Sequence, residues 1–289
     1  MHDYLRAVGF GRIADRKSLQ QLLGLVMTKP DQEYYAGDRD WPVYWEKSKD
    51  FLPGAGLTVR GDTDENGMPA YEYFFPHFHG SHVSFTGNVD LEKGFEREEY
   101  NGVCEPSDMG IVMVFHMNRL KDYAARIREY GYLEEAPVRL SALSVRGSVL
   151  IPLARKKPSG GEKEIQAASS RRYEEAKQGD PEALAEIAMH ELFLFNTISH
   201  HLMEGEDVLS VVETSFMPFG TASDQYSVLG DILDCREQYN QLSGEKVWQL
   251  TVLCNSKLID ICINAEDLAG APKLGRRFRG TIWLQGQLS

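Results

Sequence analysis

The stretch VWQLTVLCNSKLIDICIN, residues 247 to 264, alternates apolar with polar side chains in two consecutive runs. In a β-strand every second side chain lies on the same face. The residues that share an apolar face by this rule are Trp248, Leu250, Val252 and Cys254 in the first run, and Ile259, Ile261 and Ile263 in the second. The two runs therefore predict two strands whose apolar faces pack in one small core.

The rest of the last third continues this strand pattern. Residues 227–239, SVLGDILDCREQY, are rich in strand-forming side chains, and residues 277–288, RFRGTIWLQGQL, place Phe278, Ile282 and Leu284 on one face. We predict that these strands close into a small β-barrel resembling an OB-fold, because closure leaves no strand edge unpaired. The alternative is an open sheet covered by a helix.

A helix and a linker are predicted before these strands. Asp180 is a suitable N-cap, and Pro181 suits the first turn of a helix that runs to about residue 204. An apolar stripe along this helix is wide enough to pack on a sheet. Residues 155–179 lack apolar periodicity and collect Pro, Gly, Ser and Lys, which indicates a linker.

Residues 1–154 combine strand and helix patterns. An Asn66-Gly67 turn separates two predicted strands, residues 118–132 repeat apolar side chains at helical spacing, and a hairpin is predicted to turn near Arg146-Gly147. We therefore predict an α+β fold. It consists of an N-terminal antiparallel-sheet domain with helices over 1–154, the linker 155–179, and a helix plus small OB-like β-barrel over 180–289.

Composition restricts the class of protein. The chain has 289 residues, of which 42% are hydrophobic and 26% charged, and its net charge is −12. We expect a cytoplasmic protein without a membrane partner, and the acidic balance makes nucleic acid an unlikely partner. Four irregularly spaced cysteines predict reduced thiols; they are Cys104, Cys235, Cys254 and Cys262.

The stretch HFHGSH, residues 77–82, places three of the 8 histidines within six positions. On a strand, His77 and His79 share a face about 7 Å apart, and a bend after them would let His82 join. Zinc centres also need orienting partners, and no Asp or Glu shows suitable spacing nearby. The stretch therefore favours a loop without metal. The alternative is a metal-dependent hydrolytic enzyme that uses His77, His79 and His82, with His116 as a further participant.

A local basic segment, KLGRRFRGTIWLQG, departs from the acidic balance of the chain. Strand alternation places Arg277, Arg279 and Trp283 on one face, where cationic and aromatic groups would meet an anionic partner. We predict these three residues as a binding site. The predicted function is a non-catalytic binding or interaction protein without a cofactor, whose partner is another protein or an anionic ligand.

Three stretches carry a resemblance to a known family. They are the start MHDYLRAVGF, the run SFMPFG followed by DQYSVLGDILD, and the ending DICINAEDLAGAPKLGRRFRGTIWLQG. Nearly the whole chain resembles an uncharacterised bacterial family known as a domain of unknown function. The resemblance implies a cytoplasmic location and no residue roles. It also implies FPYFKG-like sequences in relatives where this chain has FPHFHG, which counts against a metal site common to the family.

Overall fold

The structure is a computed structural model of the chain. The residues that it describes are 3–13, 15–38, 41–63, 69–93, 100–106, 111–119, 121, 132–151, 182–183, 185, 189, 212 and 214–288.

Two short helices begin the described chain. A 3-10 helix spans Asp3–Val8, and α1 spans Arg16–Thr28. The Asp15 carboxylate caps α1, because it accepts a hydrogen bond of 2.8 Å from the backbone N–H of Ser18. Leu22 and Val26 are the buried side chains of α1, so one face of the helix packs inward.

The first sheet contains four antiparallel strands in sequence order. They are β1 Gln32–Asp38, β2 Trp41–Leu52, β3 Ala55–Thr63 and β4 Pro69–Phe78. Consecutive hairpins make this a meander, which leaves β1 and β4 as its edges.

The second sheet contains ten strands. They are β5 Phe85–Lys93, β6 Tyr100–Cys104, β7 Met113–Met117, β8 Tyr132–Leu150, β9 Ser215–Pro218, β10 Gln225–Tyr239, β11 Lys246–Cys254, β12 Lys257–Asn264, β13 Leu268–Ala269 and β14 Arg277–Leu288. A 3-10 turn, Ala265–Asp267, separates β12 from β13.

The 19-residue strand β8 and the strand β14 form the centre of this sheet. They pair antiparallel along most of their length, and each also pairs with strands outside this pair. Two closed circuits of strands result: β8-β12-β11-β10-β14 and β8-β5-β6-β7-β14. The two circuits therefore share the β8–β14 pair.

Two apolar cores follow from this arrangement. The first collects side chains from all ten strands of the second sheet, including the predicted faces of residues 250–254 and 259–263. The second joins both N-terminal helices and the four-stranded sheet to Leu143, Val247, Cys262 and Trp283 of the ten-stranded sheet. The smaller sheet and the helices consequently pack on the ten-stranded sheet through a core of their own.

The predicted α+β fold class is wrong, because the described chain is mostly β. The predicted OB-like barrel is also not an independent unit, since one of its closing strands is β8 from the N-terminal half. Sequence alternation identified the strands correctly, but a local pattern carries no information on which distant strand each one pairs with.

The hairpin predicted at Arg146-Gly147 is absent, and β8 continues straight through it. Gly147 pairs with Gly280 of β14. A Cβ on Gly147 would lie 2.6 Å from a ring carbon of Phe278, so the glycine makes room for an aromatic ring. In the sequence Gly147 indicated a turn, whereas in the structure it allows the ring of Phe278 to pack closely against β8.

Several predicted segments lie outside the described residues. These include most of the helix over 118–132, the linker 155–179 and most of the helix over 181–204. Strands from both sides of the predicted linker share the ten-stranded sheet. The four cysteines are free thiols, as predicted. Among the helices of the described residues, none has the length and apolar character needed to cross a membrane.

Candidate metal centre

His77, His79 and Asp50 form a cluster at the end of the four-stranded sheet. Each residue offers one ligand atom, and these atoms lie within 4.8 Å of one another. Asp50 belongs to β2, His77 to β4, and His79 follows β4 directly. The imidazole rings of the two histidines stack with their centroids 4.6 Å apart. Sheet pairing thus adds a carboxylate to the two histidines that the sequence places side by side.

Gly56 explains how Asp50 and His77 meet across an intervening strand. Gly56 of β3 pairs with Asp50 on one side and with His77 on the other. Two strands separated by a third lie about 10 Å apart. The side chains nevertheless meet, with Nε2 of His77 at 2.8 Å from Oδ1 of Asp50. A Cβ on Gly56 would lie 2.8 Å from the Cα of Asp50, so the glycine lets β2 come close to β3 and brings Asp50 toward His77.

Thr58 fixes the ring of His77 from the other side. The Thr58 hydroxyl lies 2.8 Å from Nδ1 of His77, and both side chains are buried. With Nε2 bonded to Asp50, both ring nitrogens of His77 have partners. The imidazole orientation is therefore set by two hydrogen bonds, as in many ligating histidines.

The turn between β2 and β3 links Asp50 to His79. Gly54 adopts φ +68, which glycine tolerates without strain. Its backbone N–H bonds to the Asp50 carboxylate, and its carbonyl accepts a hydrogen bond of 2.8 Å from the backbone N–H of His79. One glycine therefore holds two members of the cluster.

Side chains of the ten-stranded sheet hold the free edge of β4. Gln285 accepts from the backbone N–H of Phe78 at 3.0 Å and donates to the Pro76 carbonyl at 2.9 Å. Gln287 donates to the Gly80 carbonyl at 3.2 Å. Because these amides take the place of a neighbouring strand, they satisfy three polar groups of the backbone that carries His77 and His79.

The other two histidines of the alternative metal prediction lie elsewhere. Nδ1 of His82 is 3.3 Å from a carboxylate oxygen of Asp260, on β12, and the His82 side chain is 43% exposed. His116 is buried, with its ring centroid 4.5 Å from that of Phe75 and 5.1 Å from that of Trp283. Neither belongs to the cluster, so the predicted set of His77, His79 and His82 is replaced by His77, His79 and Asp50.

Burial keeps His79 neutral. It lowers the pKa of His79 to about 3, and the neighbouring His77 and Arg119 act in the same direction. Burial also acts to raise the pKa of Asp50, but the hydrogen bond and charge of His77 outweigh it and hold that pKa below its usual value. At neutral pH the cluster therefore offers a carboxylate and an uncharged His79 imidazole, the forms that bind metal ions.

We expect the metal-free protein to lose stability as the pH falls from about 6.5 to about 3 because of His79. The unfolded chain takes up a proton near the ordinary pKa of 6.5, whereas the folded protein does so only near 3. Between these values the unfolded state binds more protons, so the free energy of unfolding decreases as the pH falls. Urea unfolding across this range should show a shallower decrease for His79→Gln. Parallel curves for the two proteins would contradict the lowered pKa.

Hydrogen bonds connect three side chains in a row: Thr58, His77 and Asp50. They supply a hydroxyl, an imidazole and a carboxylate, which are the groups of a nucleophilic triad. Thr58 is 1% exposed and His77 is 0% exposed. A nucleophile must reach its substrate, and this hydroxyl lies within the protein. The row therefore positions His77 and does not act as a nucleophilic triad.

A sequence profile named from E. rectale, that of the domain of unknown function DUF3881, matches residues 5–286. The chain belongs to the DUF3881 family. This confirms the predicted resemblance to a bacterial domain of unknown function, and the match includes every residue of the cluster. No curated protein and no solved structure matches the chain. Membership of DUF3881 assigns no residue roles.

The predicted binding residues of this DUF3881 chain do not share an exposed face. Arg277 is 4% exposed and donates to the Val212 carbonyl at 3.0 Å, while Trp283 is 7% exposed and donates to Asp224 at 2.6 Å. Only Arg279 among the three is exposed. Strand alternation failed for Trp283 because both faces of β14 are covered along its second half. Binding through these residues stays a prediction.

Asp50 is the functional candidate that sequence reasoning missed. It lies 27 positions before His77, far outside the spacing of a local metal motif. The order of the strands could have indicated Asp50. A meander through β2, β3 and β4 brings residues of β2 and β4 to opposite sides of the same β3 residue. In the folded chain a carboxylate therefore lies beside the two histidines, although none shows suitable spacing in the sequence.

Proposed function

We propose that this protein binds a divalent transition-metal ion, of the zinc class, through Asp50, His77 and His79. The observation that carries the proposal is the convergence of three ligand atoms within 4.8 Å. Imidazole and carboxylate are ligands that zinc and its neighbours prefer. The proposal keeps two histidines of the predicted metal alternative and replaces the third by a carboxylate.

His77 is suited to ligate through Nε2. Its Nδ1–H would then donate to the Thr58 hydroxyl, which supplies the orienting partner that ligating histidines have. Two ligands of one tetrahedral ion lie roughly 3.3 Å apart. The present separation of Nε2 from Oδ1 of Asp50 is 2.8 Å, so a shift of about half an ångström converts the hydrogen bond into joint coordination. The Asp50 side chain is 41% exposed, which leaves it room for that shift.

The burial of the His79 ring also supports the proposal. Its Nδ1 is buried and has no hydrogen-bond partner of ordinary geometry among the described residues, although the Gln287 side chain interacts with the ring. A buried polar group without a partner costs about 1–3 kcal/mol. An ion bound beside Asp50 and His77 would give this uncharged ring a partner. Ligation would therefore offset part of the free-energy cost of burying it.

Three protein ligands leave a fourth position of a tetrahedral ion open. The Asp50 side chain is 41% exposed, so solvent reaches one side of the cluster. The arrangement supports binding of an exchangeable ligand to the ion. Hydrolysis is not part of the proposal, because the cluster defines ligands for an ion but not the substrate of a reaction.

We expect protein purified without a histidine tag to bind about one equivalent of Zn²⁺, and Asp50→Asn or His79→Gln to weaken binding by about 100-fold or more. Loss of an orienting partner alone typically weakens metal binding 10–100-fold, and Thr58→Val should fall in that range. Isothermal titration calorimetry with elemental analysis measures both affinity and stoichiometry.

The matched control for these variants is His82→Gln, which removes a nearby histidine outside the cluster. It should bind zinc as the wild type does. Wild-type protein that takes up less than about a tenth of an equivalent at saturating zinc contradicts the proposal, as does equal loss of binding in His82→Gln. Unfolding curves of each variant separate lost ligation from lost structure.

A further inference from the structure

A buried carboxylate on β12 holds the chain that follows the proposed metal centre. Asp260 is 4% exposed, and one of its oxygens accepts two hydrogen bonds from Ser81, at 2.6 Å from the backbone N–H and at 2.8 Å from the hydroxyl. Ser81 lies two residues after His79, in the segment between β4 and β5. Asp260 therefore fixes the main chain close to a proposed metal ligand, although it belongs to the ten-stranded sheet.

The main chain around His79 is held from several sides. The N–H of His79 donates to the Gly54 carbonyl at 2.8 Å. A Cβ on Gly80 would lie 2.9 Å from the carbonyl oxygen of Leu140, so the chain also lies close against β8. The bonds that Asp260 accepts complete this support. Because hydrogen bonds to a carboxylate are roughly twice as strong as those between neutral groups, losing Asp260 should loosen the segment.

The second oxygen of Asp260 is bonded within the ten-stranded sheet. It accepts a hydrogen bond of 2.7 Å from the hydroxyl of Thr251, which lies opposite Asp260 on β11. Nδ1 of His82 lies 3.3 Å from each oxygen, a longer and weaker contact. Thr251 and Ser81 thus bond to the same carboxylate, but Ser81 lies in the chain that carries His79. Mutation can therefore separate the two contacts.

We propose that Asp260 is a positioning residue of the metal centre, which acts through Ser81 to hold His79 where Asp50 and His77 share an ion with it. The inference rests on the proposed metal function. The ligand atoms of the three residues already lie within 4.8 Å of one another. Metal affinity depends on keeping them there, because a ligand that must be ordered on binding loses conformational entropy.

Asp260→Ala is expected to weaken Zn²⁺ binding by the full chain about 10-fold, the lower end of the effect of losing an orienting partner. The lower end applies because Asp260 acts on His79 through the main chain. Calorimetry measures the affinity. Loading with Co²⁺ adds a readout of geometry, because its visible absorption changes with coordination; we expect the spectrum of Asp260→Ala to differ from that of the wild type.

Asp260→Asn tests for rescue, because its amide keeps an oxygen for the Ser81 N–H. It should restore the wild-type cobalt spectrum and bind zinc within about threefold of the wild type. Ser81→Ala removes the hydroxyl bond at an exposed side chain and serves where Asp260→Ala fails to fold. It should weaken zinc binding about threefold or more, since one bond to the carboxylate is lost.

Thr251→Val is the matched control, since it removes a hydrogen bond to the same carboxylate and leaves those of Ser81 in place. It should lower stability in urea but bind zinc as the wild type does. Amide hydrogen exchange of the metal-free proteins measures the support directly. Exchange over residues 79–84 should become faster in Asp260→Ala and stay unchanged in Thr251→Val.

The outcomes separate this inference from the metal function. A folded Asp260→Ala protein, or a Ser81→Ala protein in its place, with wild-type zinc affinity overturns the inference and leaves the metal function standing. Equal loss of affinity in Thr251→Val also overturns it, because a general loosening of the sheet then explains both variants. Failure of the wild type to bind zinc overturns both proposals.

Discussion

Replacing Arg60 by methionine is expected to lower the free energy of unfolding by about 3–5 kcal/mol, because it leaves the buried Glu46 without its cation. Nε of Arg60 lies 2.7 Å from a carboxylate oxygen of Glu46, and the guanidinium also donates to the Tyr73 hydroxyl and the Met117 carbonyl. Arg60 is 3% exposed and Glu46 is 7% exposed. The Met117 bond ties the four-stranded sheet to β7, so the loss affects the contact between the sheets.

The control for this prediction is the double variant Arg60→Met with Glu46→Leu. Removing both charges avoids the cost of an isolated buried carboxylate, and such replacements are often close to neutral. We expect the double variant to recover most of the stability that the single variant loses, as measured by urea unfolding. A single variant that loses less than about 1 kcal/mol, the scale of an exposed pair, would show that solvent reaches Glu46.

Replacing Gly56 by alanine is expected to cost about 3 kcal/mol, at the upper end of the range for overpacking. A Cβ at this position would lie 1.9 Å from the Lys49 carbonyl oxygen and 2.8 Å from the Cα of Asp50. Both are backbone atoms of β2, which cannot move aside as a side-chain tip does. The strand must shift, and the separation of Asp50 from His77 changes with it.

Urea unfolding and zinc titration of Gly56→Ala measure the two consequences separately. Gly24→Ala is the control, because Gly24 lies in α1 with no atom near its missing Cβ. Alanine there should raise stability by about 0.5–1 kcal/mol, the helix preference of alanine over glycine. Wild-type stability and zinc affinity in Gly56→Ala would contradict the close approach of β2 and β3.

Local alternation was enough to find the strands near the C-terminal end of the described chain. Residues 246–254, 257–264 and 277–288 are strands, and their predicted apolar faces lie in one core. Alternation succeeds because burial acts on each strand face by itself. It failed for Trp283, whose face was predicted to be exposed, because the second core covers that side of β14 as well.

The sequence by itself determined the strands over residues 246–254, 257–264 and 277–288 and the closeness of His77 to His79. Only the tertiary structure decided that β8 joins two circuits of strands and that Asp50 meets the two histidines. Side-chain periodicity follows from backbone geometry within a few residues, so it can be read locally. Strand pairing depends on register between distant segments, and a site built across strands exists only after that register is set.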